Sequence, residues 1–534
     1  MKLIGVLGFV VISFITYNRE ERINSYFSNH KTIDRVIPFF VCFIISFLFS
    51  INLCLSPFND LEPYIDSSVF LYIGKSMHNG MIPYKDLFDH KGIVLYFIEY
   101  LGYFVGLGNK IGVWIIELIN IYVTTLLFYH IARLFSSSKI VCYLSTYLVI
   151  ALSTLSFFEG GNLVEEYALP WISLSLYIVI KFFITKTYKA WHIITLGVGF
   201  TIVLFLRVNM VGLWAPLILA VIVYLVKNKR ITEILKCALL FVAGCLCVFV
   251  PIMVYLLSTN SLKDMIDYYI VFNLSYTGAY SRRGIISFVF NCISTAGISI
   301  FFIVYALCVR YKNKIIWLNL ITLFFAYISA AISGRSFLHY GIILIPFFII
   351  PATLTILPFM EKTKSISIFI KKRSVIVSVI IMCLLCVSLH PATLVKNNLS
   401  ATHNQDSLQD YLLTNTNEND DVLILGNSVL TYINSNRYTK NKFFYQEPPI
   451  DVSDKLYEEF ITELGSKPSD YIINLKSEVS IYESENNNNN GNDNETYSNH
   501  QKVIDYLNDE CAKGTYQLEK HNDFQVYVRK EDTI

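Results

Sequence analysis

Apolar runs of bilayer length follow one another from residue 1 to about residue 390, separated by short polar breaks, among them 36–55, 112–134, 234–257 and 315–332. A helix needs roughly 20 such residues to cross the hydrocarbon core. The pattern therefore predicts a polytopic α-helical membrane protein of about 11–13 spans. Two runs between 191 and 226 are spaced closely enough to be one broken helix, with Arg207 at the break. The stretch 94–107 holds Glu99, two glycines and several aromatic residues, and reads as a short helix lying along the interface instead of crossing it. Residues 1–17, with one lysine and no small-residue cleavage site, read as a retained span.

From residue 391 the pattern changes, and Asn, Asp, Glu, Lys and Ser replace the apolar runs. The segments 420–426 (DDVLILG), 470–475 (DYIINL) and 523–529 read as strands and 453–464 as a helix, so 391–534 is expected to form a small α/β domain. The asparagine-rich insertion 483–499 has too few apolar residues to fold and reads as disordered, low-complexity loop. Two units result: a membrane domain over 1–390 with a polar loop at 57–92, and the C-terminal domain.

Composition agrees with a lipid environment, because 54% hydrophobic residues, 16% charged residues and a mean hydropathy of +0.49 exceed what a soluble core can hide. A net charge of +2, spread over short clusters between spans, argues against nucleic acid as a partner. Those clusters, at 19–35, 133–139, 186–189, 227–230, 310–314 and 362–373, belong on the cytoplasmic side by the positive-inside rule. The loops 57–92, 158–166 and 258–286, the breaks near Arg207 and Gly334, and the C-terminal domain then face outward from the cell membrane. Every cysteine except Cys511 sits in an apolar run as a small hydrophobe. Cys383 and Cys386 have the spacing of a metal pair but lie within a span, without histidine or a second pair.

The candidate chemistry gathers in the outer loops. In the segment 63–95 (PYIDSSVFLYIGKSMHNGMIPYKDLFDHKGIVL), Asp66 precedes an amphipathic helix, two turns follow, and then come Asp86, Asp89, His90 and Lys91. Asp66 also suits a helix N-cap, Asp86 and Asp89 suit solvated turns, and Glu165 and Glu166 suit the start of the span that begins at Tyr167. Arg207 is harder to read as ordinary, since an unpaired charge in hydrocarbon costs at least ~2.5–3.5 kcal/mol on insertion scales. It requires a partner or an interfacial position. Arg335, His339 and Tyr340 form a further polar group between spans.

On these residues the chain resembles the GT-C membrane glycosyltransferases, in particular the bacterial branch related to aminoarabinose transferases and protein O-mannosyltransferases. The resemblance rests on Asp66 after its span, the FDHKG element (88–92), GGNLVEEYALP (160–170), FLRVNM (205–210) and SGRSFLHYGIILIP (333–346), and extends over most of 37–390. It implies a polyprenyl-phosphate sugar donor, an envelope glycan or lipid acceptor, and Asp66 as general base, with Asp89, Glu165 and Glu166 as further acidic candidates. His90, Lys91, Arg207, Arg335, His339 and Tyr340 are then substrate-binding candidates, the cations serving the leaving phosphate. Relatives often carry a Pro-Pro pair where Gly92-Ile93 stands here. No cofactor is certain, and whether Glu165 and Glu166 support the acceptor or a divalent metal is left open.

A secondary transporter would also have many spans and a few membrane charges. No internal repeat is visible, however, and the charges gather in outer loops. A polysaccharide polymerase or ligase shares the lipid-linked donor, but its usual mark is one very large outer loop among short ones. A non-catalytic scaffold for the outer domain leaves the acidic first loop unexplained.

Overall fold

The computed structural model describes residues 31–58, 61–150, 157–274, 313–332, 337–360, 407–446, 449–475 and 499–530. Arg335, the first expected span at 1–17, the boundary at 390/391, Cys383 and Cys386, and insertion residues 483–498 lie outside these.

The long apolar runs become helices, because only a helix satisfies every backbone donor and acceptor where no water is at hand. Among the described residues, six are long and apolar enough to cross a membrane: Ile111–Arg133, Val164–Thr185, Val208–Lys227, Ile231–Ser258, Lys314–Ala331 and Leu338–Leu357. Shorter apolar helices cover Arg35–Ser50, Ile93–Val105, Lys139–Val149 and Ala190–Leu204. Burial separates the centre of this bundle from its rim. Leu338–Leu357 is 94% buried inside the protein, whereas Ile231–Ser258 is 11% buried. On the latter helix, Leu235, Leu239, Val242, Leu246, Val250, Val254 and Leu257 are all exposed at helical spacing, an apolar stripe that only lipid covers favourably.

Close helix packing uses small residues where lipid tails supply no hydrophobic drive. A Cβ at Gly197 would overlap the Phe241 carbonyl oxygen, and one at Gly244 would overlap that of Ile194, so Ala190–Leu204 and Ile231–Ser258 cross through reciprocal glycines. The anticipated break at Arg207 is present. The helix Ala190–Leu204 ends, Arg207 is extended, and a 3-10 turn over Val208–Leu213 leads into Trp214–Lys227.

The C-terminal domain holds a four-stranded sheet of β1 Val422–Leu425, β2 Tyr471–Leu475, β3 Tyr516–Lys520 and β4 Phe524–Arg529, in the order β1-β2-β4-β3. β1 and β2 are parallel, with Val422 opposite Tyr471, and the helix Asp454–Ser466 lies within their connection. β4 is antiparallel to both β2 and β3. The sequence pattern anticipates three of these strands and not β3, in which only Tyr516 is buried.

This domain packs on the polar loop of the membrane domain. Tyr72, on the helix Ile65–His78, is fully buried and stacks on Phe444 at 4.5 Å, and its hydroxyl accepts the Thr439 N–H (3.2 Å). Lys75 donates to Asn436 (2.8 Å), the Phe88 N–H donates to the Lys442 carbonyl (2.8 Å), and Tyr268 donates to Glu459 (2.9 Å). Burial pushes the Lys442 ammonium below its usual range, against the pull of Asp264 3.8 Å away.

Candidate active site

The helix Ile65–His78 opens the site. Its N-cap is Tyr64, so Asp66 stands inside the first turn, where a carboxylate is favoured by the helix dipole but is not the capping group. Its side chain is 38% exposed, the most open of the acidic side chains gathered here. Facing it is His339, near the start of the 3-10 segment Leu338–Phe348. His339 Nε2 lies 3.8 Å from Asp66 Oδ2, and Nδ1 lies 2.7 Å from Glu159 Oε2.

Arg207 finds the partner that its position demands. Its guanidinium pairs with Glu165 and lies 4.0 Å over the Tyr340 ring, an ion pair and a cation–π contact together. The structure thus brings Asp66, Glu165, Arg207, His339 and Tyr340 into one polar cluster between the ends of the helices. Glu159 joins them and was not among the sequence candidates. Its one signal was an acidic residue directly before Gly160-Gly161 in an expected outer loop.

Glu166 points elsewhere. Together with Glu117 it accepts the Asn162 backbone N–H, at 3.0 and 2.6 Å, and all three residues are fully buried. Asp89, His90 and Lys91 form a neighbouring group against the Arg207 break, where the Gly92 and Val94 N–H groups donate to the Leu206 and Phe205 carbonyls (both 3.1 Å). Gly92 is required there, since a Cβ would overlap the Phe205 carbonyl oxygen.

Asp89 is 1% exposed, with one oxygen accepting from Tyr96 (2.7 Å) and the other from Tyr445 of the C-terminal domain (2.6 Å). Lys91 Nζ lies 2.9 Å from His90 Nε2. Tyr84 donates its O–H to the Lys91 carbonyl (2.6 Å), and burial raises its phenol well above the usual range. Asp86 closes a turn by accepting the Ile82 N–H (2.8 Å). Among the described residues, no group of three or more His, Cys, Asp or Glu side chains is placed to hold a metal ion.

Tyr445→Phe removes a hydrogen bond to a carboxylate, a class worth roughly 1.5–3 kcal/mol. Amide exchange over 436–446 is expected to accelerate, measured by mass spectrometry on the protein in nanodiscs, while exchange in the membrane helices stays unchanged.

Residues 28–394 match the family of the competence-induced protein Ccs4 N-terminal domain. The chain belongs to that family. The match leaves out residues 1–27 and the four-stranded sheet domain. No curated protein matches the chain in sequence. Among solved structures, the chain is similar to ArnT from Cupriavidus metallidurans bound to undecaprenyl phosphate, with a TM-score of 0.57, 11% identity, and coverage of 94% of this chain and 99% of ArnT. It is also similar to the archaeal oligosaccharyltransferase AglB from Archaeoglobus fulgidus, solved with an inhibitory peptide and a dolichol-phosphate: TM-score 0.50, 10% identity, coverage 94% and 75%. Both are GT-C proteins. At such identities the likeness is one of fold, and the fold of this multi-pass membrane protein is GT-C, with a small C-terminal sheet domain.

Proposed function

We propose that this protein is a glycosyltransferase that moves a sugar from a polyprenyl-phosphate carrier to an envelope glycan or lipid at the outer face of the cell membrane. Within a GT-C fold, the observation that carries this reading is the cluster itself: an open carboxylate, Asp66, linked through His339 and Tyr340 to a half-buried arginine, Arg207, that Glu165 and Tyr340 hold. The two charges suit the two halves of the reaction. Asp66 takes the proton of the acceptor hydroxyl as that oxygen bonds to the anomeric carbon. The carbon–oxygen bond to the lipid phosphate breaks on the opposite face of the sugar, inverting its configuration, and Arg207 stabilises the departing phosphate.

An arginine fork is suited to this because it keeps its charge and has donors beyond those that Glu165 occupies. Lys91 and Arg335 are assigned to the same phosphate, and Tyr340 to holding Arg207. The fold of ArnT, a protein solved with undecaprenyl phosphate bound, supports a carrier lipid of that class. The decisive assay offers the purified protein in nanodiscs a panel of undecaprenyl-phosphate sugars (glucose, galactose, mannose, N-acetylglucosamine and arabinose), with lipid extracts of the cell envelope as acceptor. Release of undecaprenyl phosphate from one donor is the expected result. Release from none, by protein that binds undecaprenyl phosphate normally, sinks the transferase reading.

The outward placement of the C-terminal domain rests on the basic clusters, which all fall between spans on the opposite side. In a background without native cysteine, a membrane-impermeant thiol probe is expected to label Asn417→Cys on intact cells and Lys229→Cys only after permeabilisation. Both positions are exposed. The reverse pattern inverts the topology.

A further inference from the structure

The loop that presents Glu159 runs through four consecutive residues of left-handed backbone: Glu159 (φ 41°), Gly160 (99°), Gly161 (94°) and Asn162 (56°). Glycine tolerates this conformation, but glutamate and asparagine adopt it at a cost, which persists only where the surroundings over-determine it. Here they do. The Asn162 N–H is shared by Glu117 and Glu166, the Gly160 carbonyl accepts from the Cys54 N–H (2.7 Å), and the Gly161 N–H returns to the Phe158 carbonyl (2.6 Å). Tyr167 donates to the Asn162 side chain (2.6 Å), which in turn donates to Ser67 (3.0 Å), the neighbour of Asp66. A Cβ at Gly160 or Gly161 would overlap Cys54 Sγ or the Glu117 carboxylate.

The loop therefore delivers two things to one place. One end sets Glu159 on His339, and the other end braces the turn that carries Asp66. His339 is 3% exposed, stacked on Phe337 (5.4 Å, 14°) and edge-on to Tyr340 (4.8 Å, 90°). Both of its ring nitrogens face carboxylates, Nδ1 at hydrogen-bond distance from Glu159 and Nε2 at ion-pair distance from Asp66, an arrangement that favours the doubly protonated imidazolium. Glu165 is a further carboxylate near the ring, and Arg207 pairs with it.

We propose that His339 is a positioning residue: Glu159 fixes its ring, and the imidazolium charge, 3.8 Å from Asp66, offsets that of the carboxylate and aims it at the acceptor hydroxyl. This rests on the reading of Asp66 as the base, and it moves His339 from touching substrate to acting through Asp66. The proton balance is simple. The acceptor proton passes to Asp66, the bond between sugar and phosphate breaks, and His339 keeps both of its protons.

Two measurements test it on the full-length protein in nanodiscs. With 15N-labelled histidine, the His339 resonances, assigned by their loss in His339→Gln or by their shift in Glu159→Gln, are expected to show both nitrogens protonated in the wild type. They are expected to show one deprotonated in Glu159→Gln. A neutral single tautomer in the wild type overturns the proposal, whether or not the protein transfers sugar.

With the undecaprenyl-phosphate sugar that the wild type uses, Glu159→Gln is expected to lower kcat by roughly 10- to 100-fold, the range for losing a group that orients a metal-ligating one. KM and the affinity for undecaprenyl phosphate are expected to stay within about twofold, far below that range. A raised KM with kcat unchanged in either variant would place His339 against substrate and overturn the positioning role. If no donor is used by the wild type, the transferase reading fails and the resonances alone decide on the Glu159–His339–Asp66 chain.

Discussion

Asp66→Asn is expected to reduce sugar transfer by at least about a hundredfold, since general-base help is worth typically 10²–10⁴ in rate. The substitution keeps the shape of the side chain and removes its charge, and with it the capacity to take a proton. Folding has little reason to change. The N-cap position of the helix Ile65–His78 is Tyr64 and not Asp66, and the Asp66 side chain is more than a third exposed, so it makes no deep packing contact for asparagine to spoil. Thermal unfolding followed by tryptophan fluorescence should therefore superimpose on that of the wild type, and the affinity for undecaprenyl phosphate should be retained. A variant that transfers sugar at close to the wild-type rate would move the base elsewhere. The first alternative would be Glu159, the next carboxylate along the His339 axis. Asp89 is a weaker alternative, because both of its oxygens already accept tyrosine hydroxyls.

Arg207→Gln is expected to lower transfer by roughly 10²–10³, the usual loss when one preorganised group facing developing charge is removed. Unlike Asp66→Asn, it should also destabilise the protein. Glu165 is 3% exposed, and a buried carboxylate stripped of its partner costs roughly 3–5 kcal/mol. The double variant Arg207→Gln/Glu165→Gln separates the two effects. It removes the stranded charge, so the melting temperature should recover most of what the single variant loses, while transfer stays low. Arg207→Lys should fall between, keeping the charge and losing the planar fork and part of its contact with Tyr340. Transfer that recovers together with stability in the double variant would make the pair a structural clamp and leave the phosphate to Lys91 and Arg335.

The membrane architecture was legible in the chain because a span is a local property, about 20 apolar residues in a row. The runs at 112–134, 234–257 and 315–332 became the helices Ile111–Arg133, Ile231–Ser258 and Lys314–Ala331 with shifts of a few residues. Strands β1, β2 and β4 were equally local, short β-rich segments bounded by turns. β3 escaped because only Tyr516 of YQLEK is buried and the segment holds just two apolar residues, too few for a strand pattern to be read.

At the site, sequence alone required that Arg207 have a partner or an interfacial position, since the cost of an unpaired charge does not depend on the fold. Which carboxylate answers was decided by helix geometry. Glu165 and Glu166 are adjacent in the chain, but successive residues on a helix point about 100° apart. One therefore reaches Arg207, while the other turns inward to Glu117 and Asn162. The partnership of Asp89 with Tyr445, 356 residues away, and that of His339 with Glu159, 180 residues away, exist only once the C-terminal domain and the left-handed loop are in place. No local pattern of apolar and polar residues encodes a contact across that separation, because each depends on where packing elsewhere has already put both ends of the chain.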